Sequence, residues 1–189
     1  MINKNDLRVI KTKNLLYSTL LDLLKDNSFE MIKVSDICNK AMINRSTFYA
    51  HYNDKYELLV DLINMIKEKL INALSVNEKD ILSKEYFKEL IKILLLHFDQ
   101  EKDIYYPIIM SNQNSILIDI IIDVVNNDIS KLIKEDKDKK WVIPANVITT
   151  FYIGGIINFG REYIKNSNKY TEEDILKYLD ALIPDSIWK

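Results

Sequence analysis

The residues best suited to do chemistry stand close together in Ile43-Asn44-Arg45-Ser46-Thr47-Phe48-Tyr49-Ala50-His51-Tyr52. Arg45, Ser46 and Tyr49 place a guanidinium, a hydroxyl and a phenol on one face at the start of a short helix. Arg pairs bidentately with guanine, Ser and Thr reach bases or phosphates, and an aromatic edge packs on a thymine methyl, so such a face suits the major groove of duplex DNA. His51 and Lys55 lie at the far end of the helix and the start of the next, where phosphate contacts would fix the register. The N–H groups opening the helix after Asn53 offer a further phosphate site. Each residue also has a plainer reading. Arg45 and Tyr49 are ordinary at a solvated helix start, and His51 is a cation that the dipole of a helix C-terminus favours. Phe48 and Tyr52, four apart, fit core packing, with the Tyr52 hydroxyl at the rim.

Other chemistries lack their residues. No Glu-x-x-His pair, paired histidines or cysteine cluster offers metal-ligand spacing, and no Gly-rich loop cradles a nucleotide. The expectation is therefore no metal, no cofactor and no enzymatic activity. His97 is the second of two histidines and sits in Leu94-Leu95-Leu96-His97-Phe98. A core or rim position competes there with an effector contact; with Tyr105, Tyr106 and Tyr152 it forms the candidate effector-pocket set. Cys38 is the sole cysteine. It excludes an internal disulfide, fits a reducing compartment and reads as a small buried residue.

These residues need elements to position them. With three Gly and three Pro in 189 residues, and apolar residues at helical spacing, the chain reads as all-α: a three-helix helix-turn-helix head and a larger helical-bundle body, about nine helices. The spacing predicts helices at about Asn5–Lys25, Val34–Lys40, Arg45–His51 and Asp54–Leu74, the last capped by Asn53. In the first, Leu7, Ile10, Leu15, Leu16, Leu20, Leu23 and Leu24 form the apolar stripe. Further helices are expected at Lys84–Phe98, Asp103–Met110, Gln113–Glu135, Pro144–Lys165 and Glu172–Leu182, with Pro107 and Pro144 as boundaries. Lys134 to Lys140, of mixed charge, reads as a solvated loop. Val34, Ile37, Cys38 and Ala41 form the face of the second helix on which Ile43, Phe48 and Tyr52 pack. We place the helix-turn-helix domain at 1–56 and the effector and dimerisation body at 57–189.

The net charge of −2 divides unevenly. Residues 1–56 hold nine Lys and Arg against six Asp and Glu, a net of +3, and the remainder holds 17 against 22, a net of −5. A basic head on an acidic body fits a DNA-binding domain joined to a regulatory one. No stretch reaches the roughly 18–20 apolar residues of a membrane span, so no membrane partner and a cytoplasmic location are expected.

Ile43 to Leu59, including Arg45-Ser46-Thr47-Phe48-Tyr49-Ala50-His51-Tyr52-Asn53-Asp54-Lys55-Tyr56-Glu57-Leu58-Leu59, resembles the signature of the TetR family of bacterial transcription regulators. The tail Phe151-Tyr152-Ile153-Gly154-Gly155-Ile156-Ile157-Asn158-Phe159-Gly160 is similar to a subgroup common in low-GC Gram-positive bacteria, some of whose members regulate dihydroxyacetone kinase genes. The resemblance implies a homodimer, each head reading half of a palindromic operator, with a body that often binds a small effector and most often a repressor's outcome. It assigns Arg45, Ser46, Thr47 and Tyr49 to base reading and His51, Tyr52 and Lys55 to the DNA backbone. Lys33 and Ser35, opening the second helix, complete the DNA-facing set. In the family the last two helices form a four-helix dimer bundle, which would use Ile153, Gly154, Gly155, Ile156, Ile157 and Phe159. Two positions depart from the family. Lys33 replaces a capping Thr, leaving the cap to Asp36 or Ser35, and Met42 replaces the turn glycine, which costs on the order of 1 kcal/mol if the turn keeps φ > 0.

Overall fold

A computed structural model describes residues 7–73, 84–110, 119–120, 122–124, 126–127, 143–166 and 169–182. Every regular element among them is a helix. In chain order these are α1 (Leu7–Leu24), α2 (Val34–Lys40), α3 (Arg45–Tyr49), α4 (Lys55–Asn72), α5 (Lys84–Gln100), α6 (Lys102–Met110), α7 (Ala145–Lys165) and α8 (Glu172–Leu182). Described residues within 119–127 are helical too. They belong to the helix expected at Gln113–Glu135, most of which, like the loop at Lys134 to Lys140, lies outside the described residues.

The chain divides into two compact units, one of Met1–Met65 and Asp103–Ile120, the other of Ile66–Lys102 and Ile121–Lys189. The core of the first is continuous across α1 to α4: Leu16, Leu20 and Leu24 of α1, Phe29, Ile37 of α2, Phe48 of α3 and Leu58, Leu59 and Leu62 of α4 are buried. α2 packs on both α1 and α3. The N-terminal part of the expected α1 stripe does not join this core: Leu7, Ile10 and Leu15 are exposed, while Tyr17 and Thr19 are buried. The apolar arc read from the sequence was wider than the surface α2 and α4 can cover.

Local chemistry sets the ends. Lys33, at the N-cap of α2, has no side-chain cap bond. Instead the Asp36 carboxylate accepts the Lys33 N–H at 2.8 Å, so the missing Thr is offset from the other half of a capping box. α2 ends in a Schellman turn, in which the Met42 N–H donates to Asn39 O at 3.2 Å and the Ile43 N–H to Cys38 O at 3.0 Å, with Met42 between them at φ 55°. The turn has kept its left-handed residue without the glycine. α4 is capped one position later than expected: the Asp54 carboxylate accepts from Tyr56 and Glu57 N–H, both at 2.8 Å, while Asn53 donates its own N–H to Glu57 at 2.7 Å.

Pro107 lies inside α6 and not at its boundary. There it removes the bond its N–H would have made to the Asp103 carbonyl. Pro144 stands at the N-cap of α7.

In the second unit α5 packs on α8, with Ile91, Leu95 and Ile175 buried and a Lys88–Asp180 ion pair at 2.9 Å. α7 meets α5 where Tyr163 donates to Asp99 at 2.9 Å. α8 opens on a complete capping box, Asp174 N–H donating to Thr171 Oγ1 at 3.1 Å and Thr171 N–H to Asp174 at 3.0 Å. No described helix is long and apolar enough to cross a membrane.

Candidate nucleic-acid interface

α3 is five residues long, and one of them fixes its rotation: Phe48 is fully buried. With Phe48 inward, Arg45, Ser46 and Tyr49 are exposed and Thr47 is half-buried. Tyr49 is the most protruding aromatic of the helix, at 55% exposure, its ring meeting Phe48 edge-on at 5.5 Å. Three of the four expected base-reading residues are thus on the open side, and Thr47 turns partly inward. Behind them, burial pushes the Cys38 thiol above its ordinary pKa, against the opposing influence of Arg45, so it is a packing residue and not a reactive one.

The outer positions divide. Lys33 is exposed at the start of α2, and Ser35 is half-buried with its hydroxyl 3.4 Å from Asp36. His51 is half-buried beside the Tyr52 ring, centroids 6.3 Å apart. Tyr52 and Lys55, expected at the DNA backbone, face elsewhere. Tyr52 is 3% exposed and donates its hydroxyl to Asp61 of α4 at 2.6 Å. Lys55 donates to three backbone carbonyls between α1 and α2, those of Phe29, Glu30 and Ile32, at 2.8, 2.9 and 2.8 Å. The expected phosphate site at the start of α4 is likewise used within the chain, because Asp54 already accepts the Tyr56 and Glu57 N–H groups.

Asp61 is the residue that sequence reasoning missed. Its Oδ2 accepts from Lys13 at 2.6 Å, Tyr17 at 2.5 Å and Tyr52 at 2.6 Å. Burial alone would raise its pKa, but these three donors outweigh it and hold the carboxyl below its ordinary value. The same surroundings push the Tyr52 hydroxyl far above its ordinary range, chiefly by burial and then by the bond to Asp61. One carboxylate therefore ties α1, α4 and the residue just beyond α3. An acid inside the apolar pattern of α4 was visible in the sequence, but its partners on α1 stand 44 and 48 positions away.

The candidate effector residues are not gathered in one unit. His97 is 9% exposed in the second unit, and burial, with Lys69 adding to it, lowers its pKa below the ordinary histidine value. Tyr105 and Tyr106 belong to the first unit, half-buried and exposed respectively. The side chain of Tyr152 is outside the described residues. On α7, Ile157 and Phe159 are half-buried and Gly155 is exposed, and a Cβ built on Gly154 or Gly155 meets nothing within 4 Å. Close approach among the described residues therefore does not account for the glycine pair. The side chains of Ile153 and Ile156 lie outside the described residues.

A family model described as a transcriptional regulator C-terminal region of the TetR type matches residues 85–185, more than half of the chain. The chain belongs to the TetR family of helix-turn-helix transcription regulators. The proteins similar to it include YxbF of Bacillus subtilis (strain 168), described as an uncharacterized HTH-type transcriptional regulator. It is 38% identical over 72 residues, 38% of this chain and 19% of that protein. The HTH-type dhaKLM operon transcriptional activator DhaS of Lactococcus lactis subsp. lactis (strain IL1403) is 30% identical over 108 residues, 56% of this chain and 52% of that protein. The chain thus matches about a fifth and about half of these two relatives' lengths. Among solved structures, a TetR transcriptional regulator from Streptococcus agalactiae 2603V is 26% identical with a TM-score of 0.64, covering 93% of this chain and 94% of that one. The dihydroxyacetone kinase operon activator DhaS, at 23% identity and a TM-score of 0.55 over 95% and 97% of the two chains, shares the fold.

Proposed function

We propose that the protein is a cytoplasmic, dimeric, sequence-specific DNA-binding regulator of transcription whose α3 enters the major groove of each half of a palindromic operator. The observation that carries this reading is the division of α3: Phe48 is fully buried, while Arg45, Ser46 and Tyr49 lie together on the open side. A face of guanidinium, hydroxyl and phenol matches the donors and apolar edges that base pairs present in that groove. Lys33 and Ser35 at the start of α2, Thr47 and His51 are the flanking contacts, with phosphates fixing the register. Gly154, Gly155, Ile157 and Phe159 of α7, with Ile153 and Ile156, form the dimer face. A small effector bound in the body sets the spacing of the two heads, with His97 and Tyr152 of the second unit as its candidate contacts. Repression is the family's commonest outcome, while the similarity to DhaS, an activator by its description, supports activation as the second reading.

The test is to sequence genomic DNA retained by the purified protein and then measure binding to the recovered site. Arg45→Ala should weaken it by about 1–3 kcal/mol and relax the preference at one base position. An equal loss on every sequence would reduce Arg45 to a phosphate contact, and no enrichment of any site would refute the reading. A reporter behind the recovered site separates repression from activation.

A further inference from the structure

We infer that Lys55 is a positioning residue of the DNA-reading head, its ammonium clamping the turn that leads from α1 into α2, and that it does not bind phosphate. The inference rests on the DNA-binding reading proposed above. An ammonium has three N–H donors. Here they are divided among Phe29 O at 2.8 Å, Glu30 O at 2.9 Å and Ile32 O at 2.8 Å. The nitrogen also stands over the rings of Phe29, at 4.8 Å, and Tyr56, at 5.5 Å. A phosphate at Lys55 could be gained only by releasing a carbonyl.

The carbonyls held in this way belong to a turn with demanding neighbours. Phe29 and Ile32 are both buried in the core of the head. The next residue, Lys33, is the N-cap of α2 and has no side-chain cap bond of its own. The clamp therefore settles where α2 begins, and α2 carries α3 through the turn at Met42. Burial lowers the Lys55 pKa, with the Glu30 carboxylate acting in the opposite sense, in keeping with a half-buried cation turned onto the α1–α2 turn.

The experiment uses the full-length dimer and the operator recovered from genomic DNA. Two variants are compared with wild type, Lys55→Met, which removes the donors, and Lys55→Arg, which keeps the charge but replaces three tetrahedrally diverging protons with a planar fork. Positioning predicts that both variants bind operator more weakly, by roughly tenfold. It also predicts that log affinity against log salt keeps its wild-type slope in both. Amides of residues 31–37 should exchange with solvent faster in both, again by roughly tenfold. A phosphate contact predicts instead that Lys55→Arg binds like wild type and that Lys55→Met flattens the slope by about 0.9. That pattern, or unchanged amide exchange in 31–37, would overturn the inference. Should Lys55→Met not fold, Lys55→Arg alone decides, because wild-type binding and exchange in that variant exclude a clamp. If wild type enriches no operator, the DNA-binding reading fails on its own, and amide exchange still reports whether Lys55 holds the turn.

Discussion

Met42→Gly should make the protein more stable. Met42 joins α2 to α3 at φ 55°, the one positive-φ non-glycine among the described residues. A left-handed conformation costs a residue with a Cβ roughly 1–2 kcal/mol. Glycine removes that cost but makes the unfolded chain more flexible, by roughly 0.5–1 kcal/mol. No burial is lost in exchange, since Met42 is 92% exposed. The difference is a net gain of about 0.5–1 kcal/mol. Met42→Ala isolates the cause, because alanine keeps the Cβ and discards only the exposed remainder of the side chain. Urea unfolding followed by helical circular dichroism should give a higher midpoint for Met42→Gly than for Met42→Ala at an unchanged slope, with Met42→Ala close to wild type. The Schellman bonds from Met42 and Ile43 use backbone groups only, so both variants retain them. A Met42→Gly midpoint at or below that of Met42→Ala would refute the argument that backbone strain is stored at this turn.

Asp61→Asn should destabilise the head at neutral pH by about 1 kcal/mol, a figure reduced for solvent screening because a third of the side chain is exposed. The folded-state pKa of Asp61 is depressed, so its contribution is present above the ordinary carboxylate range and lost as pH falls through the folded value. The difference between variant and wild type in urea should accordingly narrow below about pH 4, and a constant difference down to pH 2 would contradict it. A Cβ at Gly155 meets nothing among the described residues, so Gly155→Ala should stabilise an isolated protomer by up to about 1 kcal/mol, while Gly155→Leu should weaken dimerisation if that face packs on a second copy. Sedimentation showing a stable wild-type monomer at micromolar concentration would sink the dimer reading. An effector bound in the body should lower operator affinity with a coupling of about 1–3 kcal/mol, and operator should lower effector affinity by the same factor; equal effector titrations with and without operator would rule this out.

Much of this could be read from sequence wherever the deciding partner was local. α2 and α8 fall where Val34–Lys40 and Glu172–Leu182 were expected, because their caps lie within four residues of the helix they start. Met42 was legible for the same reason: one residue's φ decides a turn. The errors share the opposite cause. Asn53 and Asp54 are both good caps, and only the course of the backbone chose Asp54. Leu7, Ile10 and Leu15 have the right spacing for a core, yet how far the neighbouring helices reach along α1 is a tertiary matter. Lys55 occupies the expected position in the chain; its direction follows from carbonyls 23 to 26 residues earlier. Periodicity places residues on faces, but it does not tell which polar groups have already found partners within the fold.

Those partners explain why α4 matters beyond its share of the core. Lys55 and Asp61 are six residues apart on one helix and, at about 100° per residue, point to well-separated sides of it. The first holds the turn entering α2, and the second holds Tyr52 just past α3 together with Lys13 and Tyr17 of α1. Both ends of the helix-turn-helix are thus fastened to α4 by directional bonds, and between them Phe48 is buried in the core. Apolar contacts slide at small cost, whereas a three-donor ammonium and a three-acceptor carboxylate lose bonds when displaced by an ångström or so. Any rotation or shift of α4 must therefore carry α2 and α3 with it or break these bonds. The same continuous helix runs on to Asn72, and its residues from Ile66 onward belong to the other compact unit. Lys55 and Asp61, both in the first unit, are accordingly the groups through which a shift of that part of α4 would move α2 and Tyr52.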